Sequence, residues 1–224
     1  MIPRILLDTA AIPGGGELRL FRRGDDFSIM LGANELMNSR LSGSEEALAE
    51  LVCDRLGGRP APRLLIGGLG MGFTLRAALA RTGDDAEITV AELVPEVVAW
   101  ACGAMAHLQG ESLADPRVTI IADDVRTLIR DGRGRYDAIL LDVDNGPDGI
   151  TIEANDRLYH ARGLTDARAA LRPGGMLAIW SAAKSDPFAR RLAEAGFAVE
   201  EIRVRARGGG RGAHHVIWIA TRPG

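Results

Sequence analysis

The sequence predicts an α/β protein: a doubly wound, mostly parallel seven-stranded sheet with an antiparallel last strand and a short N-terminal β-hairpin. Three observations predict it. From Arg63 onward, short apolar runs alternate with helical stretches, the pattern of strand–helix–strand crossovers. The glycine-rich run Gly67-Gly68-Leu69-Gly70-Met71-Gly72 follows the first of those apolar runs and opens a helix. Finally, residues 198–205 and 214–221 read as strands joined only by 207–213. That link is too short for a crossover helix, so the two strands pair antiparallel.

Residues 17–22 (ELRLFR) and 26–31 (DFSIML) carry strand patterning around the turn signal Arg23-Gly24-Asp25, which gives the hairpin. Ser42-Gly43-Ser44-Glu45 reads as the cap of an amphipathic helix with Leu48, Leu51, Val52 and Leu56 on one face, ending at Gly57-Gly58. Pro60 and Pro62 bar further helix. Residues 1–62 are therefore a hairpin and linking helix, and 63–224 a Rossmann-like domain. Buried parallel strands are expected at 63–66, 87–91, 118–122, 137–141 and 176–180. Helices are expected near 72–82, 95–108, 125–131, 164–171 and 186–195.

A chain of 224 residues suits one α/β domain with a short appendage. Hydrophobic residues at 46% and charged ones at 25% fit a soluble protein with a buried core. The net charge of −3 argues against nucleic acid or an anionic membrane as partner. No leader-like start and no apolar run of roughly 18 residues occurs, so a cytoplasmic protein is expected. Cys53 and Cys102 sit in apolar helical patterns and read as two buried free thiols. No Cys/His cluster has metal-ligand spacing, so no metal is expected.

In a doubly wound sheet ligands bind beyond the carboxyl ends of the strands, so residues there are the site candidates. Gly67, Gly68, Gly70 and Gly72 let backbone approach a ligand closely and offer amides at a helix N-terminus. The dinucleotide fingerprint needs another glycine three residues on, where Phe73 or Leu75 stands. The tighter G-x-G-x-G spacing is instead that of class I methyltransferases, whose cofactor is S-adenosylmethionine. Glu92, about 20 positions after the glycine run, ends the second strand and suits two ribose hydroxyls. Asp123 and Asp124 end the third strand, where an acid can accept from an adenine amino group. Asp142 ends the fourth, at the centre of the cleft.

Residues 64–72 (LLIGGLGMG), 88–101 (ITVAELVPEVVAWA), 119–128 (TIIADDVRTL), 136–149 (YDAILLDVDNGPDG) and 158–177 (LYHARGLTDARAALRPGGML) together resemble the spermidine synthase family. The resemblance implies a class I methyltransferase fold, a homodimer built with the N-terminal segment, and aminopropyl transfer from decarboxylated S-adenosylmethionine to a polyamine. It implies Gly68 and Gly70 at the cofactor tail, Glu92 at the ribose, Asp123 at the adenine and Asp142 in catalysis.

The acceptor half departs from the family pattern. Gly70 stands where the family's GGGDGG has its aspartate, and Asp142-Val143-Asp144-Asn145-Gly146 stands for its D-S-S-D-P. The family's tyrosine and glutamine near the hairpin find no clear match. Losing anionic groups weakens a site for a diamine. The sequence-based expectation is therefore methyl transfer from S-adenosylmethionine to a small-molecule acceptor, with Asp142 or Asp144 orienting the acceptor or taking its proton. A divergent aminopropyltransferase and a non-catalytic cofactor-binding module are the alternatives. Trp100, Trp180 and Trp218 read as core, with Trp180-Ser181 also placed to line an acceptor pocket. Tyr159 and His160 read as surface, and Arg203, Arg205, Arg207 and Arg211 as a solvated basic end. His214 and His215 face opposite sides of their strand, one toward the cleft edge.

Overall fold

A computed structural model describes residues 2–143, 156–207 and 211–224. The first four strands are β1 (Ile5–Ala11), β2 (Glu17–Arg23), β3 (Asp26–Leu31) and β4 (Asn34–Asn38). They form an antiparallel sheet in chain order. The expected hairpin is β2–β3, closed by pairing of Arg23 with Asp26. Gly24 takes φ +62° inside that turn, a conformation a glycine adopts without strain. β1 and β4 flank the hairpin and go beyond what the sequence patterning predicts.

Next come α1 (Gly43–Leu56), β5 (Arg63–Gly67), α2 (Phe73–Arg81), β6 (Glu87–Ala91), α3 (Pro95–Cys102) and α4 (Ala106–Gln109). Then follow β7 (Val118–Ile121), α5 (Val125–Asp131), β8 (Tyr136–Leu141), α6 (Asp156–Tyr159), α7 (Ala161–Ala170) and β9 (Leu171–Ser181). The chain closes with α8 (Asp186–Glu194), β10 (Ala198–Arg207) and β11 (Arg211–Thr221). The main sheet has seven strands in the order β10-β11-β9-β8-β5-β6-β7. Strands β9, β8, β5, β6 and β7 run parallel, and β11 lies antiparallel between β10 and β9. This is the doubly wound sheet with an antiparallel last strand. From β5 the order runs outward through β6 to β7, then returns to β8 on the other side of β5. Ligands bind at such a reversal.

β8 is buried along its whole length, as a central parallel strand should be. Its Ala138 and Leu140 pack with α1 and α2 residues on one face. Ile139 and Leu141 pack with α5, α7 and α8 residues on the other. Leu48, Ala49, Val52 and Leu56 of α1 belong to the first of these layers. A third cluster joins the N-terminal sheet to the main domain: Leu18, Leu20, Phe27 and Ile29 meet Met71, Phe73, Val94 and Val97. The small sheet thus lies over the loops that follow β5 and β6.

Several sequence readings need correction. The helix expected at 95–108 breaks after Cys102, where the Gly103 N–H folds back onto the Ala99 and Trp100 carbonyls. β9 starts at Leu171, not 176: Pro173 cannot continue α7, and Gly174 at φ +73° lets the chain enter the sheet through an irregular register. Ser42 makes no side-chain cap to α1; Gly57, at φ +61°, ends that helix as expected. Cys53 is buried, with burial pushing its thiol up to about 11, but Cys102 is exposed. Tyr159 is buried under α7 rather than on the surface, edge-on to Phe188. Among the described residues no helix is long and apolar enough to cross a membrane.

Candidate active site

Strand ends meet at the reversal between β5 and β8. The Asp142 N–H donates to the Gly67 carbonyl at 3.0 Å, and the Gly68 N–H to the Ala91 carbonyl at 2.8 Å, carrying the ladders past the last strand residues. Gly68 sits at φ +88°, and a Cβ there would fall 2.5 Å from the Asp142 carbonyl oxygen. Only glycine lets these two loops touch. Gly72, at φ +75°, precedes α2 and is pressed by Gln109, whose Oε1 would lie 2.0 Å from an added Cβ. Gln109 also donates from Nε2 to the Met71 carbonyl at 3.0 Å, pinning the far end of the loop.

A cavity opens over these ends. Of the sequence-predicted residues, the structure brings Gly68, Gly70, Glu92, Asp124 and Asp142 to its wall. The other wall is apolar and comes from the small sheet: Leu18, Ile29, Leu36 and Met37. Gly67 and Gly72 support the loop from behind without lining the cavity. Asp123 is exposed and turned back, its Oδ1 accepting from the Asp124 N–H at 2.7 Å. Asp144 and Asn145 lie outside the described residues.

Glu92 is buried at 8% exposure, with Oε2 accepting from the Leu69 N–H at 2.8 Å and Oε1 from the Val94 N–H at 3.0 Å. It therefore ties the glycine loop to the start of α3. Burial raises its pKa against the pull of those amides. The Gly70 and Leu93 amides add to the same pull, so the carboxylate sits in a ring of backbone donors. Asp124 caps α5 by accepting from the Arg126 N–H at 2.8 Å and pairs with the Arg126 guanidinium. Of the two third-strand acids, Asp124 lines the cavity wall.

Asp142 accepts from the Thr74 hydroxyl at 2.7 Å. Its pKa is pushed up to about 7, first by burial and then by the negative charge of Glu45, against the Thr74 bond. Glu45 is raised as well, chiefly by burial. It comes from the first turn of α1, where a helix cap accounts for it equally well from sequence. A second cavity borders the first, with Leu36 and Met37 on both walls and Glu45, Ser44, Trp180 and His215 on its own. Sequence reasoning placed Trp180 and one histidine near the cleft but missed Glu45, Thr74 and Met37.

No family model matches the chain. It is 40% identical over 121 residues to a polyamine aminopropyltransferase of Corynebacterium efficiens, a match over 53% of this chain and 22% of that protein. Polyamine aminopropyltransferase 1 of Streptomyces coelicolor is 28% identical over 211 residues, 89% of this chain and 36% of that protein. The spermidine synthase of Thermotoga maritima superposes with a TM-score of 0.75 at 16% identity, covering 97% of this chain and 72% of that one. A spermidine synthase in complex with the transition-state analogue AdoDATO gives a TM-score of 0.74. The chain is similar in sequence to polyamine aminopropyltransferases and in fold to spermidine synthases. It spans well under half the length of these curated relatives. The shared fold accounts for the small antiparallel sheet set over the strand ends of the main one.

Proposed function

We propose that this chain is an aminopropyltransferase of the spermidine synthase type, moving an aminopropyl group from decarboxylated S-adenosylmethionine to a small amine. The relatives bear polyamine aminopropyltransferase names, which supports this reading over the methyl transfer that sequence patterning favours. The observation that carries it is the pair of half-buried carboxylates, Asp142 and Glu45, at the border of two adjoining cavities. An acceptor that arrives as a cation needs such groups.

The first cavity fits the donor. Gly68, Gly70, Glu92 and Asp124 line one wall, where the two carboxylates offer acceptors to hydroxyl and amino groups, and the far wall is apolar. When bound, the sulfonium donor supplies the electrophilic carbon: the acceptor nitrogen's lone pair forms the new C–N bond as the C–S bond breaks and leaves its electrons on sulfur. The chain's own work is to position and to move one proton. Asp142 takes that proton from the attacking nitrogen at its carboxylate, and a base near neutrality is well matched to the task. Thr74 holds the carboxylate in place. A homodimer, implied by the resemblance, belongs to the proposal and is read by sedimentation velocity.

The test is turnover of purified protein with each donor and 1,4-diaminobutane. Release of methylthioadenosine from the decarboxylated donor, with a lengthened amine as co-product, is the expected result. Formation of S-adenosylhomocysteine from intact S-adenosylmethionine, with the decarboxylated donor inert, would overturn the reading in favour of methyl transfer.

A further inference from the structure

The family pattern loses an acid at Gly70, and the Met37 side chain lies against the position. Gly70 takes φ +51°, and an added Cβ would lie 2.6 Å from Met37 Cε and 2.8 Å from its sulfur. A side chain at this position would have to displace the thioether end of Met37 from β4. The anionic group has another source. Glu45 lines the second cavity, and Thr74 stands between it and Asp142: its hydroxyl lies 2.7 Å from Asp142 Oδ2 and 3.3 Å from the Glu45 carbonyl oxygen.

Glu45 is held by a chain of its own. The Ser44 hydroxyl donates to Glu45 Oε2 at 2.6 Å, and His215 Nδ1 lies 2.9 Å from the same hydroxyl oxygen. A hydroxyl has one hydrogen, so with Glu45 ionised His215 must be the donor to Ser44. That sets the imidazole as the Nδ1–H tautomer. Trp180 packs edge-on against the ring at 4.7 Å and 77° and fixes its plane. Ser44 is buried on the same face of α1 as Leu48, Val52 and Leu56, so the helix that packs on the sheet also carries Glu45 to the cavity wall.

We propose that Glu45 is the second anionic group of the acceptor site, gripping the acceptor's ammonium opposite Asp142, with Ser44 and His215 as its positioning residues. The inference rests on the transfer reaction proposed above. It names α1, rather than the glycine loop, as the source of the acid that recognises a diamine.

Calorimetry with 1,4-diaminobutane tests it apart from the reaction. Glu45→Gln, which keeps shape and removes charge, should weaken diamine binding roughly 10- to 100-fold while methylthioadenosine binds as before. Glu45→Asp should recover part of the loss, and His215→Phe should cost a few-fold. Unchanged diamine affinity in Glu45→Gln and His215→Phe would overturn the inference even if the wild type turns over. Loss of diamine binding in Glu45→Gln, together with a wild type inert toward the decarboxylated donor, would uphold the site and overturn the reaction. A wild type that binds no diamine sinks both.

Discussion

At Asp142 the direction of each influence is separable, which makes its pH behaviour informative. Burial and the Glu45 charge raise its pKa to about 7, and the Thr74 hydroxyl lowers it. Glu46 adds repulsion on Glu45, while His215, with its own pKa lowered by burial, and Glu35 face the same cavity. A base must be deprotonated, so kcat/KM should rise with pH through about 7. Removing a raising influence lowers the pKa: Glu45→Gln should move that limb to lower pH. Thr74→Val removes a lowering one and should move it to higher pH. Limbs that shift in the same direction in both variants would refute this assignment. Gly70 carries a second residue-scale expectation. Gly70→Asp should not restore a family-like acid but destabilise the fold, by roughly 1–3 kcal/mol for strain and overpacking. Met37→Ala in the same chain should relieve part of that loss, as urea unfolding will show.

Among the elements, β8 illustrates how one strand serves stability at its start and chemistry at its end. Asp137 is fully buried near its start and paired with Arg59 at 2.7 Å, Arg172 at 2.8 Å and the Arg63 N–H at 2.8 Å. Burial alone would raise its carboxyl, but those three donors outweigh it and hold the pKa below the usual value. A depressed carboxylate stabilises the fold above its unfolded pKa of about 3.9, and that contribution is lost as pH falls through the folded value. Asp137→Asn should therefore cost roughly 2–4 kcal/mol near neutrality, with the gap to wild type narrowing in acid. A constant difference across the pH series would show that shape, not charge, is what matters. The same strand shows why much was legible beforehand. Strands buried on both faces must be apolar throughout, and topology then dictates that Asp142, Glu92 and Asp124 end at one rim. β1 escaped notice because it is an edge strand, exposed at six of its seven residues, with no alternation to read. Glu45 escaped because an acid in a helix's first turn is already explained by the helix dipole. Its partners, Asp142, Thr74 and His215, come together only when α1 crosses the sheet.

The whole molecule is two sheets clasped over one cleft, and the site belongs to both. Leu18, Ile29, Leu36 and Met37 come from the small sheet, and Gly68, Glu92, Asp124 and Asp142 from the large one. The clasp is mostly apolar, with the Trp100 indole N–H donating to Asp8 of β1 at 2.7 Å as a polar tie. A ligand between two such walls stabilises each of them by mass action, in proportion to its occupancy. Methylthioadenosine at about 100 times its Kd should add close to 2.7 kcal/mol to every opening that exposes the cleft. Hydrogen exchange should then slow in residues 17–38 as well as in 66–73 and 91–97, although the first segment is far from the glycine loop in sequence. Protection confined to the main sheet would mean that the small sheet is a neighbour of the site and no part of it. Protection in both, lost from 17–38 alone in Asp8→Ala, would show that the polar tie holds the second wall in place.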